Sequence, residues 1–73
     1  MPRYFFNFRD GTEILDDEGV ELQDIEEARA QAVVSSGEAL RDHGREVRDG
    51  TELRMWVTDE AGATVCTLRF SAE

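Results

Sequence analysis

Two stretches in the second half of the chain alternate between apolar and polar side chains. Glu52 to Thr58 puts Leu53, Met55 and Val57 on one side and Arg54, Trp56 and Thr58 on the other. Thr64 to Phe70 sets Cys66, Leu68 and Phe70 against Val65, Thr67 and Arg69. A period of two marks a strand with one buried face, and Asp59-Glu60-Ala61-Gly62 between the runs reads as a turn. The pair is therefore a hairpin whose apolar face must be covered by another element.

The rest of the chain supplies a second hairpin and the cover. Arg3-Tyr-Phe-Phe-Asn-Phe-Arg9 is aromatic-rich and ends at Asp10-Gly11, a two-residue hairpin signal. Thr12 to Asp16 follows, then an acidic turn at Asp17-Glu18-Gly19, and Val20-Glu21-Leu22 continues or re-pairs the second strand. Asp24 opens a helix with an acid at the N-cap and Glu27 three residues on, a variant of the capping box. Ile25, Ala28, Ala32, Ser36, Ala39, Leu40 and His43 recur at helical spacing, and Val33 widens the stripe. The helix is expected to stop near His43-Gly44, with a polar connection from Arg45 to Thr51. The expected fold is one α+β domain over residues 1–73, a two-layer β-β-α-β-β arrangement with a four-stranded antiparallel sheet and one helix on one face.

Composition narrows the function classes. The chain has 73 residues, 17 acidic against 8 basic, and a net charge of -9, with every basic residue an Arg. No apolar run approaches the roughly 18 residues of a membrane span, and the start lacks a secretory signal pattern. One Cys builds no internal disulfide and suits a reducing compartment, so a cytoplasmic location without membrane contact is expected. A domain this small buries only about 60% of its unfolded surface, and self-association is a common remedy.

A two-residue loop at Asp10-Gly11 would pair Phe8 with Glu13 and Phe6 with Leu15. The helix side would then hold Tyr4, Phe6, Phe8, Leu15, Leu53, Met55, Val57, Cys66, Leu68 and Phe70. The opposite face would hold Arg3, Phe5, Asn7, Arg9, Ile14, Arg54, Trp56, Val65, Thr67 and Arg69, four of the eight Arg among them. A solvated face with Arg stems lying over aromatics is one reading. The clustering of Phe5, Ile14, Trp56 and Val65 favours a contact surface. Its expected anchors are Phe5, Ile14, Arg54, Trp56 and Arg69, since Trp and Arg dominate interface energetics. The expected partner is a second copy or another protein. Single-stranded nucleic acid, or another anionic ligand, on the same face is the alternative, and the acidic charge opposes the nucleic acid.

The remaining chemical signals are weak. Asp16-Asp17-Glu18 with Glu21 offers oxygen ligands for Ca²⁺ or Mg²⁺ but lacks the spacing of a calcium loop, so a solvated acidic turn is expected. His43 has no sequence neighbour to complete a metal set. Cys66 is expected to be a small buried hydrophobe, with only His43 to act as its base. No catalytic residue, metal site or cofactor is expected.

The opening Met-Pro-Arg-Tyr-Phe-Phe-Asn-Phe-Arg-Asp-Gly, together with Asp17-Glu18-Gly19-Val20-Glu21-Leu22 and Val57-Thr58-Asp59-Glu60-Ala61-Gly62, resembles a family of short bacterial proteins, mostly alphaproteobacterial, classed as a domain of unknown function. Members commonly start Met-Pro-Arg-Tyr-Phe-Phe, often with His in place of Asn7. The resemblance spans nearly the whole chain. It implies a bacterial, cytoplasmic, stand-alone protein and supplies no catalytic or binding residues. The expected function, which rests on the face assignment, is a non-enzymatic interaction or oligomerisation module that contacts partners through the open Arg/aromatic sheet face or an edge strand.

Overall fold

In the computed structural model, which describes residues 1–43 and 50–72, the elements run β1 (Arg3–Asp10), β2 (Thr12–Ile14), β3 (Val20–Glu21), α1 (Ile25–His43), β4 (Glu52–Thr58) and β5 (Thr64–Ser71). The expected stop at Gly44 and the connection over residues 45–49 lie outside the described residues, as does the side chain of His43. The α+β class and the single helix are as expected; the antiparallel sheet has five strands rather than four, in the order β2-β1-β4-β5 with β3 also on β1. The difference is a split second strand. Phe8 faces Ile14 and Tyr4 faces Val20, so four residues along β1 oppose six on its partner. The surplus leaves the edge as a loop from Leu15 to Gly19.

α1 starts where its cap dictates. The Glu27 N–H donates to Asp24 Oδ1 at 2.9 Å, and Glu27 Oε2 accepts from the Gln23 N–H at 3.4 Å. The first helical bond runs from the Ala28 N–H to the Asp24 carbonyl. Asp24→Ala is expected to cost about 1 kcal/mol, read as a lower midpoint in urea unfolding with an unchanged slope.

The helix packs across β4 and β5. Ala28, Ala32 and Ser36, all buried, form its contact line, and small side chains there let the helix approach the sheet. The Ser36 hydroxyl donates to Met55 Sδ at 3.3 Å, which satisfies a buried polar group. The core is Tyr4, Leu22, Ala28, Ala32, Met55 and Val57, with Phe6, Phe8, Val65, Cys66 and Leu68 packed against it. Leu53 is buried as well.

Three face assignments are corrected. Gly11 alone separates the paired Asp10 and Thr12, with φ at 70°, so the turn consumes an odd number of residues. That slip inverts β2. Ile14 faces Phe8, on the helix side of the sheet, and remains 59% exposed; Leu15 is exposed too. The second correction is Val65, which packs on the core instead of the open face. Between Val57↔Cys66 and Thr58↔Thr64 the β4–β5 register shifts, and Val65 is the extra residue of that bulge. The third is Val33, 61% exposed, and with it Ile25, at 42%. Val33 follows Ala32 by about 100° around the helix, past the line that touches β4 and β5.

Candidate functional site

The face without the helix is built in rows by the register. Arg9 pairs with Arg54, and Arg54 with Arg69, so three guanidinium groups extend from three adjacent strands. The next row is Asn7, Trp56 and Thr67, and Phe5 pairs with Thr58 beyond it. Of the expected anchors, Arg54, Trp56 and Arg69 come together. Phe5 lies toward the opposite end of β1, and Ile14 is on the other face.

The guanidinium carbon of Arg54 stands 4.7 Å from the centroid of the Trp56 ring, in cation–π range. Arg54 is half-buried, while Arg9 and Arg69 are exposed. Arg54 Nε is buried without a hydrogen-bond acceptor. Arg54, Arg9, Gly11 and Glu52 line a depression of about 260 Å³ at this end of the sheet. Among the described residues none of the three arginines forms an ion pair, whereas Arg3 pairs with Glu21 at 2.9 Å. Like charges directly opposite on neighbouring strands repel.

The other end of the face is covered by the Leu15–Gly19 loop. The Asp16 carboxylate is its hub: Oδ2 accepts from the Phe6 N–H, and Oδ1 from the N–H groups of Glu18 and Gly19, all at 3.1 Å. The Asp16 N–H in turn donates to Asn7 Oδ1 at 3.0 Å. Asn7, expected on an open face, is therefore only 5% exposed. Its amide also donates to the Trp56 carbonyl at 3.3 Å, and more distantly to the Phe5 carbonyl and Thr58 Oγ1. Burial pushes the Asp16 carboxyl up, but the N–H groups of Gly19, Phe6 and Glu18 outweigh it and hold it below its ordinary value. Arg3 clamps the same loop, donating to the Glu18 carbonyl at 2.8 Å and to Glu21.

The acidic loop is thus a backbone clasp. Asp16 spends both oxygens on the main chain and Glu21 pairs with Arg3. No group of three or more His, Cys, Asp or Glu among the described residues is arranged to hold a metal ion. Cys66 is half-buried rather than buried, a free thiol beside the core. His43, the one base that Cys66 could have used, has its side chain outside the described residues. The one sequence signal for the clasp was Asp followed three residues on by Gly, which recurs at Asp59 and Gly62. There Asp59 Oδ1 accepts from the Ala61 and Ala63 N–H groups at 2.9 Å.

The elements from β1, which starts at Arg3, to β5, which ends at Ser71, lie within residues 3–71, and that range matches the family model of the domain of unknown function DUF6894. The chain belongs to this family. Its description assigns no activity, so the family, like the sequence motifs that resembled it, transfers no site residue. No curated protein and no solved structure matches the chain. Among the described residues no helix is long and apolar enough to cross a membrane.

Proposed function

We propose that this DUF6894 chain is a non-enzymatic interaction module that assembles with itself or with another protein through the helix-free face, with the β5 edge as the second route. The observation that carries the reading is the Arg54–Trp56 stack on a sheet face that no helix covers, flanked by Arg9 and Arg69. Trp and Arg are the side chains whose burial contributes most to protein interfaces. The clasp on Asn7 fixes the far end of β1, so the stack stands on a rigid sheet. β5 is eight residues long and pairs among the described residues only with β4, leaving its outer edge for a further strand. Cys66 as a free thiol suits a reducing compartment, in keeping with a cytoplasmic protein.

The row of three arginines bears on the kind of partner. A symmetric face-to-face dimer would set two such rows against each other, so a homo-oligomer favours the β5 edge and a different partner would meet the face with acids. The same row supports a second reading, in which the face takes an anionic ligand.

Light scattering coupled to size exclusion, over a concentration series at two salt levels, tests assembly. The expected result is a mass above the 8.3 kDa monomer that falls on dilution. Trp56→Ala is expected to weaken association about tenfold or more if the face is used. A constant 8.3 kDa at every concentration, with no captured protein partner, would overturn the reading.

A further inference from the structure

We propose that Arg9, Arg54 and Arg69 form a binding site for a phosphoryl group, presented as free phosphate or as a small phosphate monoester. The inference rests on the anion-binding reading of this face and not on assembly. Register is its first support. Adjacent strands lie about 4.8 Å apart, so three long side chains in one row reach a common point above Arg54. Held side by side in register, the three repel, and an anion seated among them removes that repulsion.

Charge selects the kind of anion. Among the described residues Glu52 lines the depression with Arg9 and Arg54, and Glu13 stands directly opposite Arg9 on β2. Three guanidinium groups against these two carboxylates leave a positive charge in excess. A phosphoryl group offers three acceptor oxygens, one for each guanidinium group, where a carboxylate offers two. The chain's net charge of -9 opposes a long polyanion along its whole length. A single phosphoryl group at the row responds chiefly to charges within a Debye length, about 8–10 Å.

Geometry selects Arg54 as the centre. It stands between Arg9 and Arg69 in the register, and the Trp56 ring lies against its guanidinium from one side. A guanidinium can stack on an aromatic ring and still present its N–H fork to an oxyanion. Arg9 and Arg69, both exposed, supply the outer donors.

The test is a titration of the full chain with inorganic phosphate, and separately with adenosine monophosphate, followed by nuclear magnetic resonance. Sodium chloride at matched ionic strength is the control. Saturable shifts of the Arg54 Nε–H and Trp56 indole signals are expected. Arg54→Gln should weaken binding about tenfold, losing a charge-assisted fork, and Arg69→Gln about threefold. If Arg54→Gln does not fold, Arg69→Gln carries the comparison. Tighter binding of the nucleotide than of phosphate assigns the site to phosphate esters, and equal binding assigns it to free phosphate; both support the site. Shifts that rise linearly and equally with chloride, or binding unchanged in both variants, overturn it. A monomer that captures no protein partner but binds phosphate overturns assembly alone, and an oligomer indifferent to both probes overturns this site alone.

Discussion

Asp16→Asn is expected to destabilise the fold by about 2–3 kcal/mol, although the side chain keeps its shape. The carboxylate faces three backbone donors, from Phe6, Glu18 and Gly19. An amide in the same place turns one acceptor into a donor aimed at a donor. Hydrogen bonds to a charged acceptor are worth roughly twice neutral ones, and this acceptor closes a gap in the sheet. Between β2 and β3 no partner residue continues the ladder to β1, and Asp16 stands in for it at the Phe6 N–H. For a domain of this size the loss corresponds to a fall in melting temperature of roughly 10–20 °C. The pH dependence has a defined sign. The carboxyl is held below its ordinary value of 3.8 in the fold, so its contribution is complete above that value. It is lost as pH falls from there through the lower, folded-state value. Acid unfolding followed by circular dichroism should show a steeper loss of stability below about pH 4 in the parent chain than in Asp16→Asn. Equal profiles and equal melting temperatures would remove Asp16 from this role.

Patterning over whole elements was legible in the sequence; single-residue offsets were not. The faces of β4 followed from alternation alone, because Leu53, Met55 and Val57 are buried and the residues between them are not. The start of α1 followed from Asp24 and Glu27, whose side chains make the expected cap. The β1–β2 register was read one residue off. Asp-Gly fits more than one hairpin geometry, and the choice depends on which register the edge prefers once the loop beyond it closes. The Val65 bulge carries no local mark, since Val suits either face; its position follows from how β5 meets β4. The candidate surface was half legible for the same reason. Arg54, Trp56 and Arg69 sit on strands whose alternation holds, and they meet. Ile14 depended on the misread turn. Asn7 depended on a loop that arrives from nine residues away, and its burial is tertiary in origin.

Gly19→Ala is expected to be at least as damaging, at about 3–4 kcal/mol, through two separable causes. The first is backbone: φ at Gly19 is 72°, which costs an L-residue of order 1 kcal/mol. The second is space. An added Cβ would lie 2.9 Å from the Tyr4 carbonyl oxygen, 2.9 Å from Arg3 Cγ and 3.0 Å from Phe5 Cε1. Arg3 is held by the Glu18 carbonyl and by Glu21, and the Tyr4 oxygen belongs to the β1 main chain. Neither yields without opening the clasp, so the substitution should also loosen the Asp16 bonds beside it. Gly11→Ala separates the two causes. Its φ of 70° is nearly the same, yet nothing lies within 4 Å of the added atom. That variant should lose only the backbone share, about 1 kcal/mol. Urea midpoints measured side by side decide the matter. Equal losses in the two variants would mean that the Gly19 contact with β1 is not what closes the loop. A loss at Gly19 two- to fourfold larger would place the tight approach of the loop to Arg3, Tyr4 and Phe5 among the contacts that hold β1 in the sheet, on which the Arg54–Trp56 surface is built.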